Sequence, residues 1–299
     1  MSESRFAVLD ARGILAVAGP DRAAFLQGLV SNDTARVSGE RALYAALLTA
    51  QGKYLHDFIM VEVGEAIWLD CEAARLADLK RRLSMYRLRA KVTLDERPDL
   101  AVAAVFGGAS LELSEESGSA RPFGDGVALV DPRLAAAGAR VILPRERIRT
   151  ELTATGAQET DFAEYDRLRL SLGIPDGSRD LVLDKSILLE AGFDELNGVD
   201  WDKGCYIGQE LTARTKYRGL IKKRLFPVRI DGPSPEPGAI VTQDGHEAGE
   251  MRSSCDGLGL ALLRLEAIAK GGKLEAGETS LVPMQPDWMH LAADQVAGT

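Results

Sequence analysis

Apolar and polar positions alternate along the first 95 residues in a pattern that predicts strands and helices by turns. The stretches RFAVL and GILAVAG predict two short strands. GPDRAAFLQGLVSND predicts a helix: Pro20 suits its first turn, Asp21 its positive end, Phe25, Leu26 and Leu29 form an apolar stripe, and Asn32 closes it. ALYAALLTA, YLHDFIMVEV and AIWLDC, separated by turns at 51–53 and 64–65, predict a three-strand meander. Leu76, Leu79, Leu83 and Tyr86 recur at helical intervals, so EAARLADLKRRLSMYRL predicts an amphipathic helix before the strand KVTLDE.

Strand patterns continue in LAVAAVF, GVALVD and ARVILP. Between the first two, the polar stretch 107–126 predicts a surface loop with a short strand inside. AQETDFAEYDRLRLSLGIPD predicts a helix ending at Gly173, ahead of Pro175. GQELTARTKYRG predicts another, running out near Gly219. DGPSPEPG, Asp231–Gly238, has the composition of a linker, and the segments after it predict only strands. The expectation is an α+β body over 1–226 and a C-terminal antiparallel β-barrel over 227–299.

Composition changes this picture little. The chain has 299 residues, enough for two or three domains, with 45% hydrophobic and 27% charged residues. Its longest apolar runs, such as Ala45–Leu48 and Leu258–Leu263, fall far short of the ~18–20 residues of a membrane span. The N-terminal residues lack a signal-like apolar core and a presequence-like Arg/Ser pattern, which gives a cytoplasmic expectation. A net charge of −9 argues against general nucleic-acid binding. Three dispersed cysteines, Cys71, Cys205 and Cys255, argue against a disulfide framework, and with three distant histidines they give no metal-site spacing.

One stretch carries reactive chemistry. In DKGCYIGQEL, Cys205 stands two residues from Lys203, between Gly204 and Gly208, with Gln209 and Glu210 opening a helix. Positive charge and free helix amides favour a thiolate. Two readings remain open on local chemistry: an activated thiol or anion site, and packed core with turn glycines. No histidine is near in sequence to serve as a base. Arg214, Lys216, Arg218, Lys222, Lys223 and Arg224 follow within eleven residues, either a solvated face or a surface for a polyanion. Asp57 sits in an apolar strand on one face with Leu55 and Ile59, so its carboxylate is either wet or buried with a partner.

KGCYIGQE, followed by ARTKYRG and KRL, resembles the signature of the YgfZ-type folate-binding proteins, relatives of the aminomethyltransferase (T protein) of the glycine cleavage system and of a mitochondrial iron–sulfur maturation factor. VAGPDRAAFLQGLVSND, AALLTAQGKYLHDFIM and the approach LRLSLGIPD…LEAGFDE agree, so the resemblance covers most of the chain. It implies a T-protein-like fold with two pseudo-symmetric α+β parts around a central channel, tetrahydrofolate or a one-carbon derivative as cofactor, and an accessory role in iron–sulfur cluster assembly or repair, including in radical enzymes that modify tRNA. It makes Cys205, with Lys203, the functional centre, together with Gly204, Tyr206, Gly208, Gln209 and Glu210. It implies folate contacts at Asp57, Tyr165 and Arg214, iron–sulfur client or assembly proteins as partners, and no resident metal. Lys222, Lys223 and Arg224 are candidates for a weak RNA contact.

The chain departs from true aminomethyltransferases: Ser171 stands where they carry an acid, Gln209 where they carry arginine, and His56-Asp57 where they carry two aspartates. Two alternatives therefore stand beside the accessory role: a folate-dependent one-carbon transferase using Asp57, and a folate- or tRNA-binding module without catalysis.

Overall fold

The computed structural model describes residues 3–108, 111–219 and 221–291, so residues 109–110 of the polar loop and the outer ends of both expected domains lie outside the description. Two compact units emerge, each built from separate stretches of chain. One comprises 1–48, 55–165 and 197–207; the other comprises 49–54, 166–196 and 208–299.

The first unit holds two sheets. A five-stranded sheet runs in the order Leu43–Leu48, Tyr54–Val63, Ala66–Glu72, Arg12–Ala18, Thr93–Glu96. Its first three strands are the meander read from turn spacing. Leu76, Leu79 and Leu83 of helix Leu76–Tyr86 pack into its core with Leu15, Phe58 and Leu69, and Tyr86 stays 43% exposed at the helix end. The helical spacing that buries three leucines therefore stops one turn early. The second sheet, six-stranded, runs Gln158–Glu159, Arg5–Val8, Leu100–Phe106, Ala139–Pro144, Gly126–Val130, Ala120–Phe123. The last of these strands is the short one expected inside the polar loop.

The second unit contains a closed six-stranded barrel, ordered Lys223–Asp231, Leu258–Arg264, His246–Cys255, Ile240–Gln243, Leu274–Ala276, Thr279–Pro283. Closure removes the unpaired edges that an open sheet of this size would expose. Phe226, Val228, Met251, Leu263 and Leu281 fill its core. The linker-like Asp231–Gly238 joins two strands of this barrel that follow one another in the chain, Lys223–Asp231 and Ile240–Gln243, and separates no domains. Its Pro, Gly and Ser content suits any exposed turn, which is why composition misread it. Helix Phe162–Ser171 is shorter than the stretch 157–176 expected, because Gln158–Glu159 pairs as a strand with Arg5–Val8, whereas helix Gln209–Tyr217 lies within the stretch expected.

The helix expected over 19–33 is shorter, Arg22–Gln27. Asn32 does not close it. Its side-chain amide, 4% exposed as a residue, donates at 2.7 Å to the carbonyls of both Tyr44 and Asn197. Such a buried amide must be satisfied, and it ties three distant stretches together.

Candidate functional site

The Cys205 loop is built on the chain that leaves the Arg22–Gln27 helix. Asn197 takes a left-handed backbone (φ 57°), and its side-chain amide donates to the Pro132 carbonyl at 3.1 Å. Ser31 donates to the Gly198 carbonyl at 2.6 Å and accepts from the Ala46 amide at 2.8 Å. Asp200 donates its amide to the Ser31 carbonyl at 3.0 Å, while its carboxylate accepts the amides of Asp202 and Lys203, each at 2.9 Å. At the far side of the loop, the Ile207 amide reaches the Gly28 carbonyl at 3.2 Å, and the Ile207 side chain packs on the apolar core.

Lys203 locks this arrangement. Its ammonium donates to the carbonyls of Gln27, Val30 and Asn32 at 2.9, 2.6 and 2.7 Å. The same nitrogen lies 5.1 Å from the centroid of the Tyr206 ring, a cation–π distance. Burial pulls the Lys203 pKa down to about 8, with Asp33 and Asp200 acting against it. A cation at a helix C-terminus is favourably placed, because carbonyls gather there without intrahelical donors. Three carbonyls and an aromatic face thus take up the ammonium.

The loop so held presents Cys205 to solvent. Of the two readings left open by local chemistry, packed core is excluded by this exposure. Cys71, by contrast, is a core residue whose thiol is pushed up to about 12 by burial. Gly208 needs to be glycine: it is left-handed (φ 82°) and caps the following helix. Gly204 has no such need, since a Cβ there would meet nothing within 4 Å and its backbone is not left-handed. Glu210 lies in the helix's first turn, and Arg214 in its last, exposed and in the second unit.

Asp57 and Tyr165 belong to a buried charged network in the first unit, one that sequence reading did not foresee. The Asp57 carboxylate, 5% exposed, accepts from the Tyr44 hydroxyl at 2.9 Å. The Tyr44 pKa rises well above its ordinary value through burial and the adjacent Asp57 charge. Arg133 stacks 5.6 Å from the Tyr44 ring centroid and grips Asp131 with two bonds of 2.9 and 2.7 Å. The Tyr165 hydroxyl accepts from Arg133 at 3.4 Å and from Arg140 at 3.2 Å. Arg140 crosses to Asp70 at 2.6 Å, and Arg12 meets Asp70 from the other side at 2.6 Å. Burial alone would push the Asp131 carboxyl up; Arg133 and Arg140 outweigh it and hold it well below the usual carboxylate range. Asp70 and Arg140 were visible in sequence only as lone charges inside AIWLDC and ARVILP. That was the signal for a pair across two sheets.

Tyr44 and Asn32 also line a cavity of about 410 Å³ within the first unit, with Arg36, Arg41, Asn197 and Asp200 on its wall. Arg41 turns one guanidinium nitrogen to Glu116, and its buried Nε has no hydrogen-bond partner. The basic run after Arg214 is partly spent. Arg224 is buried and paired with Glu195, and Lys216 reaches Asp194 at 2.9 Å. This corrects the candidate RNA surface, because Arg224 cannot face a partner. Among the described residues no group of three His, Cys, Asp or Glu side chains could hold a metal ion, and no helix is long and apolar enough to cross a membrane.

Residues 222–291 match the family described as the CAF17 C-terminal beta-barrel domain. The fold is similar to the glycine cleavage system aminomethyltransferase T from Bartonella henselae, with a TM-score of 0.76 at 15% identity, covering 96% of this chain and 86% of that one. The T-protein-like expectation therefore holds for the fold. The chain is 38% identical to the mitochondrial iron-sulfur cluster assembly factor IBA57 of Mus musculus, covering 95% of this chain and 85% of the relative. Against the Homo sapiens protein of the same name the identity is 37%, covering 94% and 84%. These relatives are mitochondrial by name, which overturns the cytoplasmic expectation. Folded residues do not encode the compartment: unpaired cysteines fit any reducing one. On sequence and fold together, the chain belongs to the IBA57 family of iron–sulfur cluster assembly factors.

Proposed function

We propose that this chain is a tetrahydrofolate-binding factor of iron–sulfur cluster assembly in which Cys205 is the working thiol. The role in cluster assembly follows from the relatives. The observation that carries the thiol's part is its exposure on a loop anchored at both ends and clamped by Lys203. A single cysteine cannot hold a cluster, which takes about four ligands. The remaining ligands therefore come from an assembly or client protein, and the cluster is cargo shared across that contact.

Folate is supported by fit. The 410 Å³ cavity falls in the range of small-molecule sites, roughly 300–1,000 Å³. Arg36 and Arg41 on its wall, paired with Asp200 and Glu116 in this structure, carry guanidinium groups that suit the carboxylates of a folate tail. Asp57 stands behind the Tyr44 hydroxyl, so Tyr44 is the member of that pair that would meet the ligand. The resemblance extends the clients to radical enzymes that modify tRNA. Cys205→Ala is expected to retain the fold and tetrahydrofolate binding, measured by titration calorimetry, and to lose support of a cluster-dependent enzyme in a deletion background. Full complementation by Cys205→Ala would sink the thiol role.

A further inference from the structure

From Leu211 to Ile230 the sequence contains no Asp or Glu, yet it contains seven Lys or Arg residues in a chain of net charge −9. The fold uses part of this charge internally, through the pairs Lys216–Asp194 and Arg224–Glu195. What remains on the Gln209–Tyr217 helix and just after it is a defined surface. Arg214, Arg218 and Lys222 are exposed and enter no ion pair among the described residues. Tyr217 lies between the two arginines in sequence and is 79% exposed. Tyrosine and arginine are the residue types enriched in protein–protein contact surfaces.

We infer that Arg214, Tyr217 and Arg218, with Lys222 beyond them, form a docking surface for an extended acidic segment of a protein partner. Residues four apart on a helix place their Cβ atoms about 5–6 Å apart. Alternate residues of an extended chain lie about 6.6 Å apart on one face. Two guanidinium forks at the helical spacing therefore meet two carboxylates in an acid–x–acid pattern, each fork able to bind bidentately. Tyr217 offers its ring to the intervening side chain. A nucleic acid fits less well. Polyanion sites commonly neutralise about 6–10 phosphates, more than these few cations reach, and the net negative charge of the chain opposes a long polyanion. The surface stands without the thiol; only the partner's place in cluster assembly rests on the function proposed above.

The test is fluorescence anisotropy on the full chain with a labelled twelve-residue Glu-Ser repeat peptide. Arg214→Glu/Arg218→Glu is expected to weaken binding about tenfold or more, and Tyr217→Ala about threefold, with affinity falling as salt rises. All three positions are on the surface, so thermal melts of the variants should match wild type. Cys205→Ala should bind the peptide as wild type does, so that docking and thiol role fail separately. Unchanged binding after charge reversal would overturn the inference. So would tighter binding of a twelve-nucleotide single-stranded RNA than of the peptide in the same titration.

Discussion

Asp57 and Tyr165 are 5% and 4% exposed, whereas Cys205, in the same unit, is exposed. All three carry chemistry by residue type, and the fold treats them in opposite ways. Around Asp57 and Tyr165 it gathers Tyr44, Arg12, Arg133 and Arg140 with Asp70 and Asp131, so that buried charges answer one another. Around Cys205 it uses backbone carbonyls and one ammonium to hold the chain, leaving the thiol to solvent. The first arrangement spends its reactive groups on holding two sheets together. The second spends a lysine so that a cysteine need not be spent. Reactivity by residue type is thus a poor guide to availability, which is set by what the neighbours consume.

That contrast predicts graded effects on stability. Arg140→Met leaves Asp70 with Arg12 alone and Asp131 with Arg133 alone, so urea denaturation should show a loss of about 3–5 kcal/mol, as for other buried pairs broken on one side. A loss below about 1 kcal/mol would mean the network is a passenger and not a brace. His56, 3% exposed beside Asp78, sharpens the same point through pH. Burial lowers its pKa to about 4, with the Arg75 charge assisting and Asp78 opposing. Between that value and an unfolded pKa near 6.5 the unfolded chain binds the proton and the native chain does not. Its stabilisation is therefore complete above about pH 6.5 and disappears as pH falls toward 4, about 3 kcal/mol in all. His56→Gln should flatten that part of the pH–stability curve; parallel curves would refute it.

Lys203→Met should cost less, about 1–2 kcal/mol, because its ammonium is only partly shielded from water. Its diagnostic effect is local: hydrogen exchange should quicken over 197–208 while the rate of Cys205 alkylation stays as in wild type. Slowed alkylation with unchanged exchange would assign Lys203 a thiol-activating role instead. Cys205→Ala sits at the bottom of the scale, within about 0.5 kcal/mol of wild type, as expected for an exposed side chain.

Strands, helices and the barrel were legible because burial on one face imposes a period of two or 3.6 on the chain, and these periods are local. Ala66–Glu72 and Leu76–Tyr86 could be read directly from their apolar spacing. The Cys205 motif was legible too, since its unusual residues are contiguous. The charged network was not. Asp70 and Arg140 lie 70 residues apart and meet only because two separate sheets bring them together. Tyr44 caps Asp57 from 13 positions away on a neighbouring strand of the meander.

The sequence by itself determined the elements, the fold class and the identity of the thiol, because each depends on residues near one another in the chain or on a contiguous motif. Only the tertiary structure decided which charges are free. The partners of Lys203 are carbonyls 171 to 176 positions distant, and backbone carbonyls have no sequence signature at all.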